Sequence, residues 1–271
     1  MAGEKLVWRT AVFSYGGQRI SRAVNTVELP LRRSEVESSM FESVGYDSEK
    51  GVWEPSISFS GAFSTVENAL VDGLAADDGG APAIFFRDST AKPLAPGGTP
   101  AAVAALGSPA MFLNARLYDL DVEQSRGDLH KFTARLRPTT GRTLVGKVLY
   151  TNVGTAALGV AAAIVTPNLL VGVLGAGQLL TCAVAAVDPP GVPGTTPVAP
   201  VKLVHDIDGT FATPIAAHTF ANFTAPGAQI VTLDGDVTPL AGETHWALEI
   251  GPITGTGAGF TFMAAICLYA K

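Results

Sequence analysis

The chain has 271 residues, of which 15% are charged and 47% hydrophobic, with a net charge of −6. That apolar content supplies a sizeable core and excludes a charge-rich disordered chain, while the acidic balance excludes an electrostatic grip on nucleic acid. Only two cysteines are present, too few for a disulfide-stapled scaffold.

Glycine and proline number 30 and 18, which predicts many turns between short strands. "MAGEKLVWRT" lacks an apolar segment and does not read as a signal peptide. The segments flanking Gly16-Gly17 alternate, so this pair reads as a hairpin turn. Arg32 to Trp53 is polar and without a clean period, and reads as a long functional loop. "EPSISFSGAFS" alternates again, with Ile57, Phe59 and Phe63 on one face. In "TVENALVDGLAADDGG" the period changes. Val66, Leu70 and Leu74 recur every four residues and Thr65 can cap, which predicts one short helix. "APAIFFRDS" then reads as a strand and "AKPLAPGGTPAAVAALGSP" as a small-residue connection.

The next segment, "LYDLDVEQSRGDLHKFTARLRP", carries its charges on odd positions. Asp119, Asp121 and Glu123 come first, then Lys131, Arg135 and Arg137. Residues two apart share a strand face, so this is a β-hairpin with one wet face and Leu120, Val122, Phe132, Ala134 and Leu136 on the other. A three-residue loop at Arg126-Gly127-Asp128 sets Glu123 opposite Lys131, Asp119 opposite Arg135, Val122 opposite Phe132 and Leu120 opposite Ala134. "RTLVGKVLYTN" reads as the strand that closes this half.

Charge shifts beyond this point. Residues 1–150 hold 16 Lys/Arg and 17 Asp/Glu, whereas residues 151–271 hold two and seven. The shift marks a boundary near Thr151, giving segments 1–152 and 153–271. Ala156 to Gly177 is apolar but broken by Thr166-Pro167-Asn168, and reads as two buried strands joined by a turn rather than a membrane span. "LLTCAVAAV", "VKLVHDI", "HTFANFTA", "AQIVTLDG", "THWALEIG" and "GFTFMAAICLYA" follow as strands of an all-β sandwich or jelly roll. Cys182 and Cys267 lie within such runs and read as buried apolar residues.

The search for catalytic or metal chemistry gives turns. His205-Asp206-Ile207-Asp208-Gly209 reads as a strand ending in an Asp-Gly turn, and Asp234-Gly235-Asp236 as a hairpin turn. Gly255 to Gly259 precedes a strand and not a helix, so it lacks the geometry of a phosphate loop. Arg126-Gly127-Asp128 spells an integrin-binding tripeptide but reads as loop chemistry. No nucleophile elbow is present, and no cofactor or metal is expected.

The order of "AVFSYGGQRISRAVNTVELPL", the polar loop, "EPSISFSGAFS", one helix and "RGDLHKFTARLRPTTGRTLVGKVLY" resembles the major tail tube proteins of long-tailed, siphophage-like bacteriophages. The likeness covers about the first 150 residues, with a looser one in "THWALEIGPITGTGAGFTFMAAICLYA". It implies a mostly β chain: a small barrel or sandwich with one helix, followed by a C-terminal all-β domain of Ig-like or jelly-roll type. It also implies a non-enzymatic subunit whose copies form hexameric rings that stack into a tube. The lumen would pass DNA without binding it specifically, with no membrane involved. The implied partners are further copies, a tape measure, a tail terminator and tail-tip proteins. The place would be the virion tail, assembled in the host bacterial cytoplasm. On this reading Asp119, Asp121, Glu123, Lys131, Arg135 and Arg137 line the lumen or a subunit contact. Arg32, Arg33, Glu35, Glu37, Glu42 and Asp47 form a loop between rings. The alternative is a virion-decorating or carbohydrate-binding β-sandwich protein with its site on the C-terminal loops.

Overall fold

The computed structural model describes residues 12–19, 24–28, 33–37, 48–53, 57–62, 80–86, 106–123, 131–139, 143–153, 158–187, 198–237, 245–255 and 259–271. The regular elements among them are all strands, so the chain is mostly β. The helix expected over Thr65 to Leu74 lies outside the described residues. The strands gather into two compact units. One takes residues 1–22, 81–112 and 144–271; the other takes 23–80 and 113–143. Residues on both sides of the charge shift near Thr151 therefore share the larger unit.

In the larger unit, β1 (Val12–Tyr15) and β2 (Gln18–Arg19) form the expected hairpin. Gly16 and Gly17 turn it with φ of 57° and 85°, the left-handed conformations a two-residue hairpin loop requires. The sheet then runs from β16 (Gly227–Asp234) through β13 (Gln178–Val187), β18 (Thr261–Ala270), β10 (Leu144–Thr151), the start of β8 (Pro109–Glu123) and β7 (Ala81–Phe86) to β1 and β2. β16 also contacts β7, so the sheet curls toward a barrel. Its inside is filled by Val12, Ile84, Phe86, Phe112, Val148, Ala183, Ala185, Met263 and Ala265.

A second sheet, in the order β11 (Ile164–Val165), β17 (His245–Ile250), β14 (Val201–Asp206) and β15 (Ile215–Thr219), covers the other face of β13 and β18. β12 (Leu169–Leu170) also pairs with β17. Trp246, Leu248, Leu203 and Val201 pack there with Val184, Ala186, Phe262 and Ala264. β13 and β18 are thus buried on both faces, which explains their unbroken apolar runs. The turn expected at Thr166 to Asn168 does not form. β11 and β12 both pair antiparallel with β17, at Ile250 and Glu249 and then at Trp246 and His245, so the chain runs on along one edge with a break between them. Each strand has only two residues, and Leu170 is 59% exposed. Among the described residues no helix is long and apolar enough to cross a membrane.

The smaller unit holds a four-stranded antiparallel sheet in the order β3 (Val24–Glu28), β6 (Ile57–Ala62), β9 (Lys131–Pro138) and the remainder of β8. Its buried face carries Ile57, Phe59, Leu117, Phe132, Ala134 and Leu136. Phe59 and Phe132 meet edge to face at 6.1 Å. The stretch expected as loop from Arg32 to Trp53 contains a paired hairpin, β4 (Arg33–Glu37) with β5 (Ser48–Trp53). Its strands lack the apolar alternation that marks a half-buried strand, and their register instead sets Glu35 opposite Lys50.

Candidate functional site

The residues with the strongest site pattern are those of the β8–β9 hairpin, and their geometry follows from strand parity. Glu123 pairs with Lys131, Val122 with Phe132, Asp121 with Thr133, Leu120 with Ala134 and Asp119 with Arg135, the register expected from the charges. Arg135 Nη1 lies 3.4 Å from Asp119 Oδ2, with the two side chains 50% and 35% exposed. On β9, Lys131, Arg135 and Arg137 are exposed, while Phe132, Ala134 and Leu136 are buried. The acidic strand and the basic strand thus run side by side on one wet face.

Sequence reasoning missed what happens at Tyr118. The register shifts there: Leu117 pairs with Leu136, so Tyr118 is an extra residue between that pair and Asp119–Arg135. Such a bulge turns the strand's parity over. It lets the odd-numbered Leu113, Ala115 and Leu117 be buried, and Leu120 share the buried face of Ala134. The signal was in the sequence, because the apolar positions switch from odd to even between Leu117 and Leu120. The bulge also adds Arg116 and Tyr118 to the wet face, and Arg137 stacks over the Tyr118 ring at 4.1 Å.

Of the remaining candidates, Arg33, Glu35 and Glu37 lie on β4, while Arg32, Glu42 and Asp47 fall outside the described residues, as does Arg126-Gly127-Asp128. Asp208 accepts hydrogen bonds from the Thr210 hydroxyl at 2.7 Å and the Thr210 amide at 2.9 Å. Those bonds hold its carboxyl below the usual carboxylate range, and they make it a turn residue. His205 is buried with its ring 5.3 Å from that of Trp246. Asp234 and Asp236 both take Lys271 Nζ, the former at 2.5 Å, and Asp236 also accepts the Gly177 amide at 2.7 Å. Among the described residues no cluster of His, Cys, Asp or Glu could hold a metal ion. Cys182 faces one core of the larger unit and Cys267 the other, so both are free and buried.

No family model matches the chain, and no curated protein matches it. Among solved structures it is similar to the sheath/tube terminator of the extracellular contractile injection system PVC, at 11% identity. That match covers 54% of this chain and 99% of that one, with a TM-score of 0.36. The anti-feeding prophage tube-terminating cap matches at 11% identity over 54% of this chain and 95% of its own, with a TM-score of 0.37. The Dit protein of phage SPP1 matches at 10% identity over 96% of this chain and all of its own, with a TM-score of 0.34. The class defined by fold and surface is a mostly β protein whose charges are segregated along one amphipathic hairpin.

Proposed function

We propose that this chain is a structural, self-assembling subunit of a phage tail. Its copies close into six-membered rings, and the rings stack into a hollow conduit through which DNA passes without specific binding. The observation that carries the reading is the four-stranded sheet of the smaller unit. On β6, β8 and β9 one face is largely apolar and buried, and the other carries Ser58 and Ser60 beside the exposed charges of β8 and β9. β3 at its end pairs only with β6 among the described strands. Sheets of this kind lose their exposed edges when neighbouring copies continue them around a ring.

The wet face also favours one of the two roles open to the hairpin. Its described residues include Asp119, Asp121 and Glu123, but also Arg116, Lys131, Arg135 and Arg137. Three carboxylates beside four cations do not make a phosphate-repelling wall. They suit a contact with a neighbouring copy, where opposite charges fix register. Tape measure, terminator and tail-tip proteins would meet the ends of the stack, and the site of action is the virion tail. No catalytic step is assigned.

Reversing Lys131 and Arg135 to Glu tests this. Both side chains are exposed, so the variant keeps its fold by circular dichroism, and on this reading it no longer forms the higher assemblies of the wild type in sedimentation velocity. Assembly indistinguishable from wild type would remove the hairpin from the contact.

A further inference from the structure

At the base of the β8–β9 hairpin, Arg116 stands directly opposite Arg137. Like charges so placed destabilise a strand pair, so this rung does not serve the hairpin's own stability. The bulged Tyr118 lies next to the rung, and Arg137 sits over its ring at 4.1 Å. All three side chains are exposed, and Arg137 forms no ion pair among the described residues. An arginine stacked on a tyrosine is already held in place, and these two residue types carry much of the energy in protein contacts.

The complement is present on the same chain. Asp206-Ile207-Asp208 ends β14 and begins the turn to β15. Ile207 is 63% exposed, and Asp208 is exposed. Neither carboxylate meets a lysine or arginine among the described residues. The two cations of residues 151–271 are taken elsewhere, Lys202 by Glu249 at 2.7 Å and Lys271 by Asp234 and Asp236. Both hydrogen bonds from Thr210 go to Asp208 Oδ1, which leaves Oδ2 for an incoming donor.

We propose that a neighbouring copy docks its β14–β15 turn on this rung, with its Asp208 against Arg137 and its Ile207 against the Tyr118 ring. Charge complementarity selects a second copy as the occupant. The hairpin base reads cation, aromatic ring, cation, and the turn reads carboxylate, apolar side chain, carboxylate. A phosphate backbone would instead meet Asp119, Asp121 and Glu123 along the same face. Two different surfaces meet, so the contact is heterologous, the kind that closes copies into a ring and does not stop at a pair. The proposal rests on the reading of the hairpin as a contact between copies, and it names the surface that the hairpin meets.

Sedimentation velocity of two full-length variants tests it. Arg137→Glu and Asp208→Lys each set like charges across the contact, so each loses the wild-type assembly while its circular dichroism spectrum is unchanged. Mixed in equal amounts, the two proteins regain it, because every contact in an alternating ring then joins opposite charges. A local defect in the hairpin or the turn is not cured by mixing. Either variant assembling as wild type does, or a mixture that stays unassembled, overturns the proposal. Where the Lys131 and Arg135 variant loses assembly and Arg137→Glu does not, this contact alone fails. Where neither loses it, or wild type forms no assembly, the reading of the hairpin as a contact fails with it.

Discussion

Asp119 and Arg135 face each other across the β8–β9 hairpin with 3.4 Å between carboxylate and guanidinium, one rung above the bulge at Tyr118. Their register is the first consequence of the charge alternation. Because both side chains are well exposed, the pair sets alignment more than stability. A double-mutant cycle of Asp119→Ala and Arg135→Ala, read by urea unfolding, gives a coupling of about 0.2–1 kcal/mol. A larger coupling would mean that the pair is shielded from water in the folded chain.

Trp246 belongs to the opposite regime. It is fully buried in the core between the two sheets of the larger unit, and its indole N–H donates to the Gly172 carbonyl at 3.2 Å. Trp246→Ala removes the packing and leaves that carbonyl without its donor, so the expected loss is about 3–5 kcal/mol by the shift in urea midpoint. A loss below about 1 kcal/mol would show that this core is not packed as described.

The turn at Gly17 is sterically determined. Its φ is 85°, and a Cβ there would fall within the backbone of Gly227 on β16. Gly17→Ala is therefore expected to cost at least about 2 kcal/mol in unfolding free energy. By contrast, Gly177→Ala, with φ of 72° but open space around it, carries only the backbone term of about 1 kcal/mol.

Acid and alkaline limits should both report the clamp at Lys271. Hydrogen bonds from Lys271, and then backbone amides, lower the carboxyls of Asp234 and Asp236, and the same pair raises the Lys271 ammonium. A lowered carboxylate contributes stability that is present above its unfolded value of about 3.9 and is lost as pH falls through the folded value. A raised lysine contributes stability that is present below its unfolded value of about 10.4 and is lost as pH rises through the folded value. Thermal midpoints of Lys271→Met should therefore fall below wild type between about pH 4 and pH 10 and converge with it at both extremes. A constant difference across the range would exclude the clamp.

Both thiols should be silent in the folded protein. Cys182 is fully buried and its thiol is pushed up by desolvation, as is that of Cys267. A thiol reagent should titrate neither within minutes under native conditions and both in guanidinium. Fast native labelling would mean that β13 or β18 opens locally.

How much of this was legible in the sequence depends on whether the signal is local. The β8–β9 register could be read because opposite charges and apolar residues alternate within 22 residues, Leu117 to Pro138. The Gly16-Gly17 turn could be read for the same reason. The bulge at Tyr118 left a parity switch that was visible but unread. The pairing of Lys147 with Ile266, which brings β18 beside β10, leaves no local trace, since the two strands are more than a hundred positions apart and neither side-chain pattern names the other as its partner. The hairpin of β4 and β5 was hidden because its strands are mostly polar, with Val36, Val52 and Trp53 too few to set an alternating pattern. The clamp at Lys271 was hidden because its partners are 35 and 37 positions away along the chain.

The central claim is ring assembly, and negative-stain electron microscopy of the purified full-length chain tests it most directly. The account predicts six-fold rings or hollow tubes over a concentration series. A field of uniform single particles or simple pairs, with no rings at any concentration, would contradict it.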